Sequence, residues 1–356
     1  VDKNVVPRAQ SIHLNNELIP DDIIHSLSKL DVFAANISKE YGGLELNKSI
    51  QSAITEELSR GYIGVGSLIT RNDITSDLLI NYGTEKQKCD YLPKIANGCI
   101  LPTAAFTEPN SGSDLSSIST TVSKKIINGE NKYIINGEKT WITHGARSDL
   151  VVLLARTDSK ESGYKGLSLF IFKKTRGDQN TDFPDKGISG TEIKVIGYRG
   201  MKSYSIKFED YQIPEDSLLG IEENVGFKQL MTIFENARIQ TASRSNGLSK
   251  RAFELDPANP IAIHGVSNSQ IFSKNLETAK EIATNALKTH TGFHRLVWDL
   301  SICHILEGEP QKAIEVFESQ QPDLNGMTTL YLNLGVAHYK AGNTEKAYQL
   351  LVEMIT

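Results

Sequence analysis

Two short segments of the chain carry residues that suit the binding of an anionic ligand. The first, residues 106–114, reads Phe-Thr-Glu-Pro-Asn-Ser-Gly-Ser-Asp, which is the composition of a polar turn. Such a loop offers backbone N–H groups and short hydroxyls, which suit a pyrophosphate. For the second segment we predict a strand over residues 133–135, a turn at Asn136-Gly137, and a second strand that carries Trp141 and Thr143. Alone, the first segment could be any polar loop, but the two segments at this spacing are a more specific signal of a binding site.

The two segments resemble the signatures of the acyl-CoA dehydrogenase family of flavoproteins. The family's loop reads Thr-Glu-Pro-x-x-Gly-Ser-Asp, as residues 107–114 do, and its second signature reads Gly-x-Lys-x-Trp-Ile-Thr, as residues 137–143 do. Other matches lie in order at residues 40–44, 56–60, 82–88, 91–93 and 236–238. The resemblance covers about residues 1–253. Segments 59–67 and 197–202 look most like the branch of the family that acts on methylsuccinyl-CoA.

The resemblance implies an FAD-dependent oxidation of an acyl-CoA to the α,β-enoyl-CoA, with an electron-transfer flavoprotein as acceptor. A carboxylate removes the Cα proton while the Cβ hydride moves to flavin N5. The implied cofactor-binding residues are Phe106 through its backbone, Thr107 at the pyrimidine edge, Ser113 at the pyrophosphate, Trp141 against the ring and Thr143 at N5.

The catalytic base is the main gap in the resemblance. Most relatives carry this glutamate in a C-terminal four-helix domain, which we expect to be missing here. A minority carry it directly before a helix arginine, which corresponds to Arg238, but Ala237 stands at that place. Glu235 lies on the same helical face as Arg238, so these two residues are the catalytic candidates. Arg238 and Ser113 are also the implied substrate-binding residues, and we expect impaired dehydrogenation.

Each candidate also has a purely structural interpretation. Trp141 could be a core residue, Thr107 and Ser113 could hold a turn in place, and Arg238 could be a solvated helix residue. Glu108 and Asp114 are expected to serve the loop rather than the chemistry, and His144 is given no catalytic role.

The elements that position these residues predict a multi-domain α+β fold. Residues 1–102 read as an N-terminal helical domain, in which Gly83-Thr84-Glu85 is a helix stop followed by an N-cap. Residues 103–218 predict a small antiparallel β-barrel domain. Its β-rich runs lie at residues 133–135, 150–154, 167–172, 193–196 and 206–208. Residues 219–253 predict one long helix, the first of a truncated dehydrogenase C-terminal domain.

From about residue 254 the chain shows an internal repeat. Ala279, Ala313 and Ala347 lie 34 residues apart. A 34-residue period with small residues at helix crossings resembles tetratricopeptide repeats and predicts an α-helical solenoid over residues 254–356. Two prolines at the join break the preceding helix, so we expect a chimeric fusion of a dehydrogenase segment with repeats. The alternative function is therefore a protein–protein interaction scaffold whose repeats bind a peptide.

Composition limits the remaining possibilities for the 356-residue chain. A net charge of −5 leaves no basic surface for nucleic acid. Cys89, Cys99 and Cys303 form no C-x-x-C pair, so we expect three buried thiols and a cytoplasmic location. The eight histidines show no metal-ligand spacing, and no run of 18 apolar residues predicts a membrane span. The N-terminus lacks an initiator Met and an apolar signal segment, so we expect a processed product, a fragment or an engineered chain.

Overall fold

The computed structural model describes residues 1–161, 163–324 and 327–355, and the chain divides into two compact units. The first unit covers Val1–Arg244 and the second covers Ser245–Thr356. Each unit has hydrophobic cores of its own. Within the described ranges, none of the helices combines the length and apolar character needed to cross a membrane.

Helices open the first unit, and the capping of one of them was predictable from sequence. Its first described helices are α1 (Val6–Asn15), α2 (Asp21–Lys29), α3 (Lys48–Gly61), α4 (Ile63–Tyr82) and α5 (Glu85–Ala96). The backbone N–H of Gln87 donates to Thr84 Oγ1 at 3.2 Å, and the backbone N–H of Thr84 donates to Gln87 Oε1 at 3.0 Å. This reciprocal capping box starts α5 and confirms the stop and cap predicted at residues 83–85.

A seven-stranded sheet follows the helices in the described part of the chain. Its strands are β1 (Pro102–Ala105), β2 (Thr121–Ile127), β3 (Glu130–Thr143), β4 (Leu150–Arg156), β5 (Leu167–Lys173), β6 (Ile188–Ile193) and β7 (Ser203–Pro214). The order is β1-β4-β2-β3-β7-β6, with β5 also paired to β4. The predicted antiparallel pairing is wrong for β1–β4, which is parallel because the long connection between them returns the chain to the same end of the sheet. The strand predicted over residues 193–196 is also wrong, since β6 ends at Ile193.

Two Asn-Gly pairs in this region have different structural roles. Asn128-Gly129 joins β2 to β3 as a hairpin turn, and both residues have positive φ angles, 52° and 82°. Asn136-Gly137 instead lies inside β3, at a shift in its register with β7. Gly137 has φ 144°, and a Cβ there would lie 2.6 Å from Thr120 Oγ1. The turn predicted at Asn136-Gly137 is therefore wrong, because the glycine serves a bulge and a close backbone approach.

Strand β4 carries core residues on both of its faces. Leu150, Val152 and Leu154 pack in one cluster with residues of the helices. Val151 and Leu153 pack in a second cluster with residues of the other strands. Since successive side chains of a strand point to opposite faces, a strand covered on both sides needs an unbroken apolar run. The cluster on the helix side also includes Leu230 and Ile233 of α6 (Gly226–Leu255), the long helix predicted from sequence.

The cysteines differ from the prediction of three buried thiols. Cys303 is buried, but Cys89 and Cys99 are exposed. The prediction is wrong for these two because Cys89 lies on the outer side of α5 and Cys99 in the turn that follows it. Burial of a small apolar side chain depends on which face of its helix or strand meets the core. A single cysteine shows no periodic pattern from which that face could be predicted.

The second unit consists of helix pairs in its described residues. They are α7 (Pro260–Phe272), α8 (Leu276–Leu287), α9 (His294–Leu306), α10 (Pro310–Gln320), α11 (Thr328–Lys340) and α12 (Thr344–Ile355). The first helices of the pairs begin at residues 260, 294 and 328, and the second helices at 276, 310 and 344. Both series advance by 34 residues, so the period predicted from sequence is the period of the helix pairs. Their assignment to the tetratricopeptide family stays a prediction.

The turn within each helix pair is held by one recurring side-chain contact. The contacts join Gln270 to Asn275 at 3.0 Å, His304 to Glu309 at 3.0 Å, and His338 to Asn343 at 3.4 Å. In the middle pair, His304, Glu307 and Glu309 lie close enough together to hold a metal ion. Because the other two pairs use amides and a histidine in the same places, we interpret the His304–Glu309 contact as part of the turn.

The alanines of the repeat test how closely the helices approach each other. Ala279 and Ala313 are fully buried, whereas Ala347 is half-buried. Replacing Ala313 by leucine will overpack the crossing and destabilise the unit by about 1–3 kcal/mol. Denaturation of the full chain, followed by Trp298 fluorescence in a Trp141→Phe background, measures this loss. Ala347→Leu is the matched control, and an equal effect at both positions would contradict the close crossing at Ala313.

Candidate active site

A buried ion pair fixes the polar loop that follows β1. Lys139 Nζ donates to Glu108 Oε1 at 2.8 Å, and the two side chains are 0% and 4% exposed. Lys139 Nζ also donates to the Phe106 carbonyl at 3.0 Å. Backbone N–H groups of Ser119 and Thr120 donate to the same carboxylate at 2.7 and 2.9 Å. Glu108 therefore ties both ends of the loop to β3, which agrees with the structural role expected for it.

The charges of this ion pair are set by opposing effects. Burial by itself raises the pKa of Glu108, but the Lys139 charge and the hydrogen bonds from Lys139, Thr120 and Ser119 outweigh it and lower the pKa to about 2. Burial lowers the pKa of Lys139 to about 8, and the attraction of Glu108 only partly offsets this. Both groups are therefore charged at neutral pH, which gives a strong but costly contact.

The loop brings some of the predicted cofactor residues together and leaves one at the surface. Phe106 and Thr107 are half-buried, and the Thr107 carbonyl accepts a hydrogen bond from the backbone N–H of Thr140 at 2.9 Å. Ser113 is exposed, near the tip of the loop. Asp114 accepts from the Ser116 backbone N–H at 3.1 Å and so braces the loop, as expected.

Strand β3 turns the indole outward at the other predicted segment. Its register with β7 shifts between Lys139 and Ile142, and Trp141 there has a φ of 58° and is 57% exposed. A positive φ is strained for a bulky residue, so the bulge aims this side chain away from the core. The interpretation of Trp141 as a core residue is therefore wrong. Thr143 is buried, with its hydroxyl 3.4 Å from Ser203 Oγ.

The two segments meet at one end of the sheet. The Thr103 hydroxyl of β1 donates to the Thr143 carbonyl at 2.7 Å. This contact and the ones from Lys139 and Thr140 to the loop place residues 106–107 beside residues 140–143. His144 follows directly, buried, and its Nε2 has no hydrogen-bond partner among the described residues. Burial, followed by the charges of nearby arginines and a lysine, holds the pKa of His144 well below its usual range, so the ring is neutral.

The predicted catalytic residues of α6 lie on its outer side. Glu235 and Arg238 are exposed, and the Arg238 guanidinium carbon is 6.0 Å from the centroid of the Phe234 ring. Ala237 is half-buried against the helix-side core. The residues that α6 buries towards α3 and α4 include Asn236, which donates to Asp77 Oδ2 at 2.7 Å. The structure places the two candidates on α6 without showing a role for either in the chemistry.

A pair of arginines, which sequence reasoning missed, lies between α4 and α6. Arg244 Nη1 donates to Tyr198 Oη at 2.8 Å, and its guanidinium carbon is 5.7 Å from the Tyr198 ring centroid. The Tyr198 hydroxyl also hydrogen-bonds the buried Ser67 hydroxyl. Burial lowers the pKa of Arg71, and the nearby Arg244 charge lowers it further. The two guanidinium groups, both half-buried, are thus close enough for their charges to repel each other.

The described hydrogen-bond partners of Arg244 are hydroxyl groups rather than carboxylates. Arg244 Nε is buried without a hydrogen-bond partner in the described part of the chain. Its Nη1 donates to the Tyr198 hydroxyl at 2.8 Å and its Nη2 to the Thr241 hydroxyl at 3.1 Å. Arg71 also acts on the pKa of His144, so the cluster lies within electrostatic range of the end of β3. Because hydrogen bonds from a guanidinium to an anion are stronger than those to a hydroxyl, two neighbouring arginines suit an anionic ligand.

One sequence signal could have pointed to this cluster. Arg71 and Asp73 stand in α4, whose residues from 63 to 80 are otherwise mostly apolar or small. Charged residues in a helix that is buried along most of its length are expected to have a specific partner or function. Asp73 is buried as well, and burial, together with the Asp77 charge, raises its pKa well above the usual range.

Comparison with known proteins assigns the first two thirds of the chain. Residues 1–99 match the N-terminal domain of acyl-CoA dehydrogenase and residues 103–211 match its middle domain. The chain is 48% identical over 254 residues to (2S)-methylsuccinyl-CoA dehydrogenase of Cereibacter sphaeroides, which covers 71% of the chain and 46% of that enzyme. The chain therefore spans about half the length of this relative.

Solved structures show the same fold. Butyryl-CoA dehydrogenase from Megasphaera elsdenii superposes with a TM-score of 0.67 at 21% identity and covers 99% of the chain and 94% of that structure. A glutaryl-CoA dehydrogenase from Mycobacterium smegmatis, in complex with FADH2, gives a TM-score of 0.62 at 20% identity and covers 100% of the chain and 91% of that structure. Both superpositions extend over the helices that follow the sheet in this chain, so the absence of the dehydrogenase C-terminal domain stays a prediction. Through residues 1–211, this chain belongs to the acyl-CoA dehydrogenase family.

Proposed function

We propose that the first unit binds FAD and the CoA thioester of a dicarboxylic acid, with methylsuccinyl-CoA as the specific substrate. The observation that carries the substrate class is the proximity of Arg71 and Arg244, of which Arg244 donates to the hydroxyls of Tyr198 and Thr241 and leaves its buried Nε without a described partner. The 48% identity to a methylsuccinyl-CoA dehydrogenase supports the same choice. As predicted for the family, an electron-transfer flavoprotein is the proposed acceptor.

The residues around the end of β3 fit a flavin. The exposed Trp141 indole offers an aromatic face, and the predicted cofactor residues Thr107, Ser113 and Thr143 carry hydroxyls. When bound, FAD supplies the acceptor for the substrate hydride. The Glu108–Lys139 pair keeps the loop against β3, so these groups are already in place before a ligand binds.

The arginine pair holds the far end of the substrate in this proposal. A terminal carboxylate between Arg71 and Arg244 neutralises two charges that otherwise repel each other. Tyr198, which already accepts from Arg244, keeps that guanidinium oriented. When the carboxylate end of the substrate is held, the position of its thioester end is restricted as well. Binding energy far from the reacting carbons is used in catalysis in this way. An acyl group without the carboxylate lacks this anchor.

The substrate proposal predicts a selective loss on replacement of Arg244. In FAD-loaded protein, Arg244→Met will weaken methylsuccinyl-CoA by about 10–100-fold, since a charge-assisted contact is lost. Butyryl-CoA, which lacks the carboxylate, will change by less than about threefold. Titration calorimetry of both thioesters measures the difference. Lys228→Met is the matched control, because this lysine is exposed on the same helix and has no predicted role in binding. An equal loss for both thioesters would overturn the dicarboxylate assignment.

For the second unit we propose a tetratricopeptide-type repeat. The support is the 34-residue advance of both helix series and the recurring contact in each turn. In this proposal the unit is an interaction scaffold joined to the dehydrogenase segment, as the sequence suggested. Its predicted peptide partner stays a prediction.

A further inference from the structure

The second unit contains a cavity of about 260 Å³ between its first helices. Its lining comes from α7, from α9 and from the start of α11. The residues are His264, Asn268, His294, Arg295, Trp298, Met327, Thr329 and Leu330. This is close to the lower end of the volumes found for small-molecule sites, which begin at about 300 Å³.

One part of the lining is basic. His264 on α7 and both His294 and Arg295 on α9 reach this cavity, and Asn268 adds an amide. Among the described residues, the lining includes no aspartate or glutamate. No charged residue of α8, α10 or α11 belongs to the lining either. The cavity therefore offers hydrogen-bond donors and positive charge to a ligand without a competing carboxylate.

A buried carboxylate orients the deepest of these groups. His264 Nδ1 lies 3.0 Å from both carboxylate oxygens of Asp299, whose side chain is 0% exposed. Burial raises the pKa of Asp299, and the hydrogen bond and charge of His264 act against this rise. The contact assigns the Nδ1 proton to the Asp299 side and leaves Nε2 for a ligand, to which it donates when the ring carries both protons. Such an oriented imidazole is a feature of built sites rather than of solvated surfaces.

The remaining lining is apolar and aromatic. Trp298, Met327 and Leu330 contribute large apolar side chains. The Trp298 and His264 rings meet edge to face, with centroids 6.5 Å apart and planes at 84°. A planar ring of a ligand can therefore contact the indole while its polar end meets the basic groups.

We propose that this cavity binds a small organic carboxylate with an aromatic body. The carboxylate meets His264, His294 and Arg295, and the ring covers Trp298 and Leu330. An anion without an apolar body makes only half of these contacts, and a neutral ring makes only the other half. The site is independent of the dehydrogenase chemistry proposed for the first unit.

Carboxylate binding at this site takes up a proton. Burial lowers the pKa of His294, and the charges of Arg295 and His264 lower it further. A bound carboxylate offsets this repulsion and raises the pKa of His294, so the protonated ring is favoured in the complex. Affinity therefore falls as pH rises through the raised pKa of the complex. We expect tighter binding at about pH 6 than at about pH 8.

The test uses benzoate and benzamide, which differ in charge and share a ring. On the full chain, calorimetry at about pH 6 will show benzoate binding at least about tenfold tighter than benzamide, which corresponds to one charge-assisted contact. Arg295→Gln will weaken benzoate by about tenfold and leave benzamide unchanged. Lys288→Gln is the matched control, since Lys288 is exposed and lies outside the lining. His294 resonances will titrate at higher pH with benzoate present.

Each other outcome counts against the proposal. Equal binding of benzoate and benzamide would show that charge has no role, and inorganic phosphate binding as tightly as benzoate would show that the ring has none. If benzoate left the titration of His294 unchanged, binding would not involve the proposed uptake of a proton. Tight binding of a glutamate-containing peptide, with no binding of benzoate, would reassign the cavity to an acidic peptide segment.

Discussion

Replacing Lys139 by methionine will lower the free energy of unfolding by about 3–5 kcal/mol, because Glu108 is left as an unpaired buried charge. The wild-type contact is 2.8 Å long, and both side chains are almost completely buried. Methionine has nearly the same length and fills the space, so the loss reports the missing charge rather than a cavity. Denaturant unfolding of the full chain at neutral pH measures the change.

Two controls separate charge from packing in this experiment. The double variant Glu108→Gln/Lys139→Met removes both charges and is expected to recover most of the loss, to within about 1–2 kcal/mol of wild type. Lys86→Met breaks exposed ion pairs with Asp90 and Asp216, in which Lys86 is 68% exposed, and is expected to leave the unfolding midpoint close to that of wild type. If the single and double variants were equally unstable, the buried charge would not be the cause.

The pH dependence of stability follows from the same pair. The pKa of Glu108 is lowered from 4.5 to about 2, so its contribution is complete above its usual pKa and is lost as pH falls towards about 2. The pKa of Lys139 is lowered from 10.5 to about 8, which means that its charged form is disfavoured by folding. This cost disappears, and stability rises, as pH increases from about 8 to about 10.5. The Lys139→Met variant is expected to lack this rise in stability between about pH 8 and about pH 10.5.

Introducing a glutamate at residue 237 will speed reduction of bound flavin by methylsuccinyl-CoA by about 10²–10⁴-fold, the usual worth of a general base. Wild type has alanine there, and the nearby Glu235 is exposed. A thioester Cα–H is a weak acid, so its ionisation at neutral pH needs a positioned carboxylate. We therefore predict slow reduction in wild type and faster reduction in Ala237→Glu. Anaerobic stopped-flow absorbance of the FAD-loaded protein measures both rates.

The matched control is Ala237→Gln, which has the same shape as Ala237→Glu without its carboxylate. We expect it to remain as slow as wild type, and Glu235→Gln should change nothing. Ala237 is half-buried beside the core, so circular dichroism must show that both substitutions keep the fold. Rapid bleaching of wild type, abolished by Glu235→Gln, would show instead that Glu235 is the base.

Several features of this protein were predictable from sequence because they depend on residues close together in the chain. The capping box of α5 needs only Thr84 and Gln87, and both hydrogen bonds form within one turn. The 34-residue advance of the helix pairs repeats the spacing of the alanines at residues 279, 313 and 347. The polar loop and the indole segment were likewise identified from their residue types, and they meet at one end of the sheet.

Other local patterns were misread because the same residues fit two structures. Asn136-Gly137 has the composition of a hairpin turn, but packing of Thr120 against Gly137 makes it a bulge inside β3. For Trp141 the sequence allowed either contact with a ligand ring or a core position, and the next register shift turns the indole to the surface. Each choice depends on a neighbouring strand that the local sequence does not contain.

The sequence by itself determined the family signatures, the helix caps and the period of the repeat, since each is encoded within a few residues or a constant spacing. Only the tertiary structure decided which charged groups meet. Arg71 and Arg244 lie on helices that are far apart in the chain, and their charges come within range of each other because α6 packs against α4. Glu108 and Lys139 become a buried pair because β3 lies beside the loop. The energy of two charges depends on the distance between them in space, and this distance cannot be read from their separation along the chain.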